Sequence, residues 1–121
     1  MQKTSELIWQ DSQHQVLFQL IDEIQAHHFD ESVLFRLTEY AEHHFALEEL
    51  YMRTVGYPDT DEHIRAHDRF REELSSLTSH PHEYNELMRQ SMATFLTEWL
   101  KRHVFGVDKK LEKFILESEF K

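Results

Sequence analysis

Breaks in helical periodicity divide this chain into a few long segments. Glycine and proline each occur only twice in 121 residues. The four positions, Gly56, Pro58, Pro81 and Gly106, lie where stretches with apolar residues at helical spacing end. The sequence shows no strand-like alternation and no internal repeat. These features predict an all-α chain.

Four amphipathic segments of about 18 to 24 residues lie between these breaks. We place them at about residues 12–29, 31–54, 60–78 and 84–106. Asp11 or Ser12 is the expected N-terminal cap of the first segment and Asp30 that of the second. The short connections predict an up-down-up-down antiparallel four-helix bundle, with an N-terminal arm and a short C-terminal helix. The whole chain, 1–121, is predicted to form one domain.

Composition excludes several kinds of site and partner. Cysteine is absent, so any metal must be held by nitrogen and oxygen ligands. A formal net charge of −10 opposes binding to nucleic acid or to an anionic membrane surface. The sequence has no run approaching the roughly 20 apolar residues of a membrane-spanning helix, and the stretch MQKTSELIWQDSQ shows neither the basic nor the apolar region expected of a signal peptide. We therefore expect a cytoplasmic protein, and the charge is compatible with a monomer.

Histidines occupy core positions in all four predicted helices. The chain contains ten histidines, and five of them fall on the apolar stripes. One such histidine is more often a hydrogen-bonded core residue than a ligand. Five on converging faces are harder to explain in that way, because each buried imidazole needs a partner. The five are His14, His44, His63, His67 and His103.

Two i, i+4 pairs bring ligand-type side chains to one helix face. His44 and Glu48 form one pair, and His63 and His67 form the other. The second pair reads HIRAH and lacks the glutamate of HExxH, which argues against a zinc protease.

The remaining candidate ligand, Asp108, follows His103 by five residues. In an unbroken helix this step turns the side chain about 140° away, so shared ligation requires a bend or a wide turn. We expect Gly106 to supply the conformational freedom for it.

Helical phase separates the residues of the stretch HHFALEE, 43–49. His44 and Glu48 lie on the inward stripe of the second helix, whereas His43 lies about 100° away from it. We interpret His43 and Glu49 as flanking residues. Glu49 is expected to pair with Arg53 on the helix surface.

The seven candidate ligands together resemble the ligand pattern of the hemerythrin family, specifically its single-domain bacterial members. The resemblance covers nearly the whole chain, including IWQDSQH, HFALEE, GYP and EWLKRH. It implies a non-heme di-iron centre in which three histidines hold one iron, two hold the other and two carboxylates bridge them. The resemblance assigns the first iron to His63, His67 and His103, and the second to His14 and His44. It assigns the bridging role to Glu48 and Asp108.

The resemblance also implies reversible dioxygen binding, for storage, delivery or scavenging, without catalytic turnover. Seven protein ligands and one shared solvent oxygen leave a position open on two six-coordinate ions, and dioxygen would bind there. Reversibility requires a dry, apolar pocket. We expect this pocket to be lined by Leu17, Phe45, Trp99, Leu100 and Val104. Ordinary core packing explains each of these five residues equally well.

Four alternatives remain open. A di-iron oxidase, peroxidase or ferroxidase of the ferritin-like kind would use Glu-x-x-His motifs, and the sequence contains none. An oxygen or redox sensor would need a separate partner. A di-iron protein of iron–sulfur repair is disfavoured by Asp108 and by the lack of an N-terminal cysteine region. A metal-free bundle would bury imidazoles against carboxylates with no ion between them.

Overall fold

The computed structural model describes residues 3–25, 32–79 and 86–118. Within these regions the regular secondary structure is helical, without any strand. The helices are α1 (Ile8–Gln25), α2 (Ser32–Val55), α3 (Thr60–Ser79), α4 (Glu86–Arg102) and α5 (Asp108–Leu116). A π-helical turn, His103–Val107, joins α4 directly to α5.

The first four helices form the predicted four-helix bundle. Helix α1 packs against both α2 and α4, and α2 packs against α3. The rings of Phe70 on α3 and Trp99 on α4 stack with centroids 4.3 Å apart, which joins the remaining pair. The all-α prediction is therefore confirmed. The prediction of one domain, a monomer and a cytoplasmic location stays a prediction.

The predicted start of the first helix is wrong by one turn. Helix α1 begins at Ile8, and the Asp11 backbone N–H already donates to the Leu7 carbonyl at 2.9 Å. The Asp11 carboxylate instead accepts from the backbone N–H and the hydroxyl of Thr4, at 2.7 and 2.8 Å. This carboxylate therefore holds the N-terminal arm against the helix. The predicted Asp30 cap and the start of the fourth segment near residue 84 lie outside the described residues.

Helix α2 ends where the sequence places its first glycine. Gly56 has a φ of +69°, in the left-handed region that favours glycine. The Tyr57 N–H donates to the Met52 carbonyl at 2.9 Å, as in a Schellman motif. The Thr60 hydroxyl then bonds the Tyr57 carbonyl at 2.6 Å as α3 begins. This tight connection fixes α3 beside α2.

Two apolar clusters divide the interior. The larger one is built mainly by α1, α2, α3 and α4, and includes Leu17, Leu37, Phe45, Phe70 and Leu96. The smaller one, around Met52, Tyr57, Leu111 and Ile115, includes α5 and the end of α2. The buried polar side chains of the centre described below come from α1, α2, α3, the π-helical turn and the first residue of α5. No helix among the described residues is both long and apolar enough to cross a bilayer.

Candidate metal centre

All seven candidate ligands converge in the bundle. Each is at most 3% exposed. Their ligand atoms form two overlapping groups, and within each group the atoms lie within 4.8 Å of one another. One group contains His63, His67 and His103 and the other contains His14 and His44, while Glu48 and Asp108 belong to both.

The Glu48 carboxylate divides its two oxygens between the two groups. Its Oε1 lies 3.0 Å from His67 Nε2 and 3.4 Å from His63 Nε2. Its Oε2 lies 3.4 Å from His44 Nε2. One oxygen therefore faces the three-histidine side of the centre, and the other faces the two-histidine side.

The Asp108 carboxylate is arranged in the same way. Its Oδ1 lies 2.9 Å from His63 Nε2 and 3.0 Å from His103 Nε2. Its Oδ2 lies 2.8 Å from His14 Nε2. Two carboxylates with this division of oxygens could each bind a pair of ions through separate atoms.

The π-helical turn explains how His103 and Asp108 reach one site. The Asp108 N–H donates to the His103 carbonyl, an i to i+5 bond that widens the turn by one residue. Both side chains consequently face inward, and the predicted wide turn is confirmed. The role assigned to Gly106 is wrong, because its φ is not positive and an added Cβ would meet nothing within 4 Å. No residue of the turn has a positive φ, so the turn does not require a glycine.

The ligand atoms fit a cation. Among the described residues, the buried Nε2 atoms of His44, His63 and His103 have no hydrogen-bond partner, nor does Asp108 Oδ1. Two ligand atoms at right angles around an ion with bonds of about 2.1 Å are about 3.0 Å apart, close to the separations found here. Imidazole and carboxylate lone pairs at such distances repel each other unless a proton or a cation lies between them. The pocket therefore has the donor set of a metal site.

Electrostatics differ between the two sides. Burial lowers the pKa of His44 to about 4, although Glu48 and Asp108 oppose this. Burial also disfavours the charged form of His63, but its contacts with Asp108 and Glu48 outweigh that effect and raise its pKa to about 9. The pKa values of both carboxylates are lowered despite their burial, because imidazoles surround them. Both carboxylates are therefore ionised near neutral pH.

Comparisons with known proteins identify the family. The sequence model described as "Hemerythrin HHE cation binding domain" matches residues 8–115. The chain belongs to the hemerythrin family.

Among its relatives, a bacteriohemerythrin of Clostridium acetobutylicum is 28% identical over 111 residues, covering 83% of this chain and 86% of the relative. A myohemerythrin of Riftia pachyptila is 29% identical and one of Theromyzon tessulatum 31%, each over 100 residues, 83% of this chain and 78% of the relative. No solved structure matches the chain significantly. Membership of the hemerythrin family supports a metal-binding function related to oxygen.

Outer contacts of this hemerythrin-family centre include residues that sequence reasoning missed. Thr4 Oγ1 lies 2.9 Å from His14 Nδ1, and Gln13 Oε1 lies 2.6 Å from His44 Nδ1. The Gln10 amide donates to Glu48 Oε2 at 2.8 Å. Gln10 precedes His14 by four residues, about one helical turn, and this spacing was a usable signal. The contact of Gln13 with His44 depends instead on how α1 packs against α2. The position of Thr4 depends on how the arm folds back, and spacing gives no sign of it.

In the stretch HHFALEE the prediction is confirmed for the two histidines but not for the last glutamate. His43 is exposed and His44 is buried, as helical phase predicts. Glu49 is not a plain flanking residue, because its Oε2 lies 2.9 Å from His67 Nδ1 and 3.0 Å from an Arg71 nitrogen. The expected pairing of Glu49 with Arg53 is therefore wrong: Glu49 reaches across to α3 instead.

Aromatic side chains pack closely against the three-histidine side. Phe45 stacks on His67 with ring centroids 3.9 Å apart, and Trp99 stacks on His103 at 4.6 Å. The other predicted pocket residues, Leu17, Leu100 and Val104, are buried in the same apolar cluster. All five therefore belong to this cluster or, in the case of Trp99, pack against it, and a role in lining a dioxygen pocket stays a prediction.

Proposed function

We propose that this chain binds two iron ions and uses them to bind dioxygen reversibly. His63, His67 and His103 would hold one ion, and His14 and His44 the other. The single observation that carries the proposal is the division of the carboxylate oxygens, because both Glu48 and Asp108 present one oxygen to each side. Such an arrangement suits two carboxylates that bridge a pair of ions, whereas a site for one ion does not require it.

The donor set favours iron over harder or softer metals. Five neutral imidazoles with two carboxylates suit first-row metals such as iron, and the absence of cysteine disfavours metals that prefer sulfur. The two-histidine side has one imidazole fewer than the other side. It is therefore the side on which the protein leaves room for an external ligand.

Two ferrous ions, when bound, would supply the electrons that dioxygen takes up on binding. The residues of this chain would keep that binding reversible by excluding water and acids. Phe45 and Leu17 are each at most 2% exposed, and the aromatic rings over His67 and His103 shield one side of the centre. A dry apolar wall slows loss of the bound ligand through protonation. Leu17, Phe45, Trp99, Leu100 and Val104 are the residues to which we assign this role.

We also propose that the chain is not an enzyme. Its ligands are mainly neutral imidazoles, whereas ferritin-like di-iron oxidases use a carboxylate-rich set with Glu-x-x-His motifs that this sequence lacks. A lower negative charge at the centre disfavours the highly oxidised states that cleave dioxygen.

The test is to load the protein with ferrous iron without oxygen and then admit air while recording visible spectra. We expect a stable coloured form that bleaches under vacuum and returns on re-aeration, with two irons per chain. His43→Ala is a matched control, because this exposed histidine lies next to His44 in sequence but outside the centre. Immediate conversion to a ferric form with release of peroxide would instead indicate an oxidase. A sensor would also bind dioxygen, and its affinity for a partner protein would change on oxygenation.

A further inference from the structure

We propose that Glu49 is a positioning residue of the metal centre, which orients His67 and strengthens its Nε2 as a ligand, and that Arg71 holds Glu49 in place. The inference rests on the proposed metal site but not on the binding of dioxygen. It concerns a carboxylate that is not itself among the ligands.

The first step is the tautomer of His67. Glu49 Oε2 lies 2.9 Å from His67 Nδ1. The carboxylate can only accept there, so Nδ1 must carry the proton and donate it. Nε2 then presents its lone pair toward the centre, 3.0 Å from Glu48 Oε1. A carboxylate on the outer nitrogen also makes an imidazole a stronger donor.

The second step is the immobilisation of Glu49. Its side chain is only 12% exposed. Arg71 donates to its Oε2 at 3.0 Å. The same guanidinium donates to Glu42 at 2.8 and 3.0 Å and to Asp68 at 2.8 Å. With three carboxylates around it, Arg71 has little freedom to leave Glu49.

Arg71 also contacts the aromatic ring that stacks on this imidazole. Its guanidinium carbon lies 5.2 Å from the centroid of the Phe45 ring, within the range of a cation–π contact. Phe45 itself stacks on His67, with ring centroids 3.9 Å apart and an interplanar angle of 16°. His67 is thus restrained in its plane by Glu49 and on its face by Phe45, and Arg71 contacts both of these residues.

The third step is the contrast with the other four imidazoles. His14 and His44 have neutral outer partners, the Thr4 hydroxyl and the Gln13 amide. In the described part of the chain, the Nδ1 atoms of His63 and His103 have no hydrogen-bond partner. His67 is therefore the one ligand among the five whose outer nitrogen meets a carboxylate. We infer that it anchors the ion of the three-histidine side.

The test compares Glu49→Gln with Glu42→Gln. Glu42→Gln is the matched control, because Glu42 binds the same guanidinium but no imidazole. The dissociation constants of both ions are measured by titrating metal-free protein with Fe²⁺, without oxygen and against a chelator. Losing an outer carboxylate typically weakens metal binding about 10- to 100-fold. We expect a loss of about this size for the three-histidine side in Glu49→Gln, and little change in Glu42→Gln.

A second readout separates positioning from simple stabilisation of the α2–α3 contact. In Co²⁺-loaded protein, NMR detects the shifted, exchangeable Nδ1 protons of the ligating histidines. Glu49→Gln should shift one of these resonances and speed its exchange, while the melting temperature of the metal-free protein falls no more than in Glu42→Gln. Equal dissociation constants in the two variants would overturn the inference. Failure of the unaltered protein to bind Fe²⁺ would overturn the proposed function as well, whereas metal binding without reversible oxygenation would overturn only the latter.

Discussion

The two sides of the centre are held by the protein in different ways. The three-histidine side takes His63 and His67 from α3 and His103 from the π-helical turn, and one of these imidazoles meets a carboxylate on its outer nitrogen. The two-histidine side takes His14 from α1 and His44 from α2, and both imidazoles meet neutral outer partners. One imidazole on each side also differs in proton affinity: the pKa of His63 is raised to about 9, and that of His44 is lowered to about 4.

This difference teaches how one buried pocket can prepare two unlike metal sites. Without metal, His63 on the three-histidine side attracts a proton because its Nε2 contacts both Asp108 and Glu48, at 2.9 and 3.4 Å. A metal ion entering there must displace protons and thereby replaces one positive charge with another. At the two-histidine side His44 is already neutral near pH 7, so it is ready as a ligand but holds no compensating charge. The carboxylates are the groups common to both sides.

Removing a shared carboxylate should therefore damage both sides at once. Asp108→Ala deletes the oxygens that face His63, His103 and His14. We expect the affinity for both ions to fall more than about 100-fold, beyond the usual loss from an outer contact. Iron analysis after gel filtration measures this, and Asp22→Ala, which removes an exposed carboxylate of α1, serves as the control. Retention of one full equivalent of iron would mean that Asp108 serves only one side.

Removing a histidine that belongs to only one side should weaken metal binding on that side only. His44→Ala is expected to lower the iron content from two equivalents toward one and to abolish oxygenation. The three-histidine side keeps all its own imidazoles in this variant. His43→Ala should leave both iron content and oxygenation near normal, because this side chain is exposed. Similar losses in the two variants would contradict the assignment of the two sides.

Much of the centre was predictable because the ligands obey helical phase. The i, i+4 spacing of His44 with Glu48 and of His63 with His67 fixes their shared faces before any tertiary structure is known. The five-residue step to Asp108 likewise indicated a wide turn. The error over Gly106 arose because a wide helical turn can be built with ordinary torsions, so its spacing demands no glycine.

Contacts between distant residues could not be predicted in the same way. Glu49 and His67 are 18 positions apart, and their contact depends on how α2 and α3 lie together. Helical spacing predicted Arg53 as the partner of Glu49, but the packing of α3 on α2 places an Arg71 nitrogen 3.0 Å from its Oε2. Thr4 reaches His14 only because Asp11 folds the arm back. The predicted start of α1 was wrong for a related reason. Asp11 was expected to cap the helix, but its carboxylate accepts hydrogen bonds from Thr4 in the N-terminal arm.

Acid and alkali should destabilise the metal-free protein through different sides. The folded pKa of His44 is lowered to about 4 from 6.5, so the unfolded chain binds more protons between these values and stability falls as the pH drops below 6.5. The folded pKa of His63 is raised to about 9, so its stabilising contribution is full below pH 6.5 and is lost as the pH rises through 9. We therefore expect the melting temperature of the metal-free protein to be highest near pH 6.5.

Variants can assign each limb of this pH profile to its residue. Glutamine does not titrate, so His44→Gln should flatten the acid limb and His63→Gln the alkaline limb. The pKa values of Glu48 and Asp108 are lowered, so the stability they contribute is present above their ordinary values and is lost only in stronger acid. Thermal unfolding is measured at about pH 5.5, 6.5 and 8.5, because these values lie below, at and above the ordinary pKa of histidine. The three melting temperatures give both limbs of the profile. A melting temperature that changes in one direction across this range would contradict the contrast between the sides.

The smallest expected effect tests whether the π-helical turn beside the three-histidine side needs its glycine. Gly106→Ala should leave the iron content at two and change the free energy of unfolding by no more than about 1 kcal/mol, in the stabilising direction, because alanine favours helix. The added Cβ has open space and the φ is not positive. Gly56→Ala is the matched control and should destabilise by about 1 to 2 kcal/mol, because its φ is +69°. Urea unfolding of the metal-free proteins gives both values. Loss of one iron in Gly106→Ala would show instead that glycine is required for His103 and Asp108 to face the same ion.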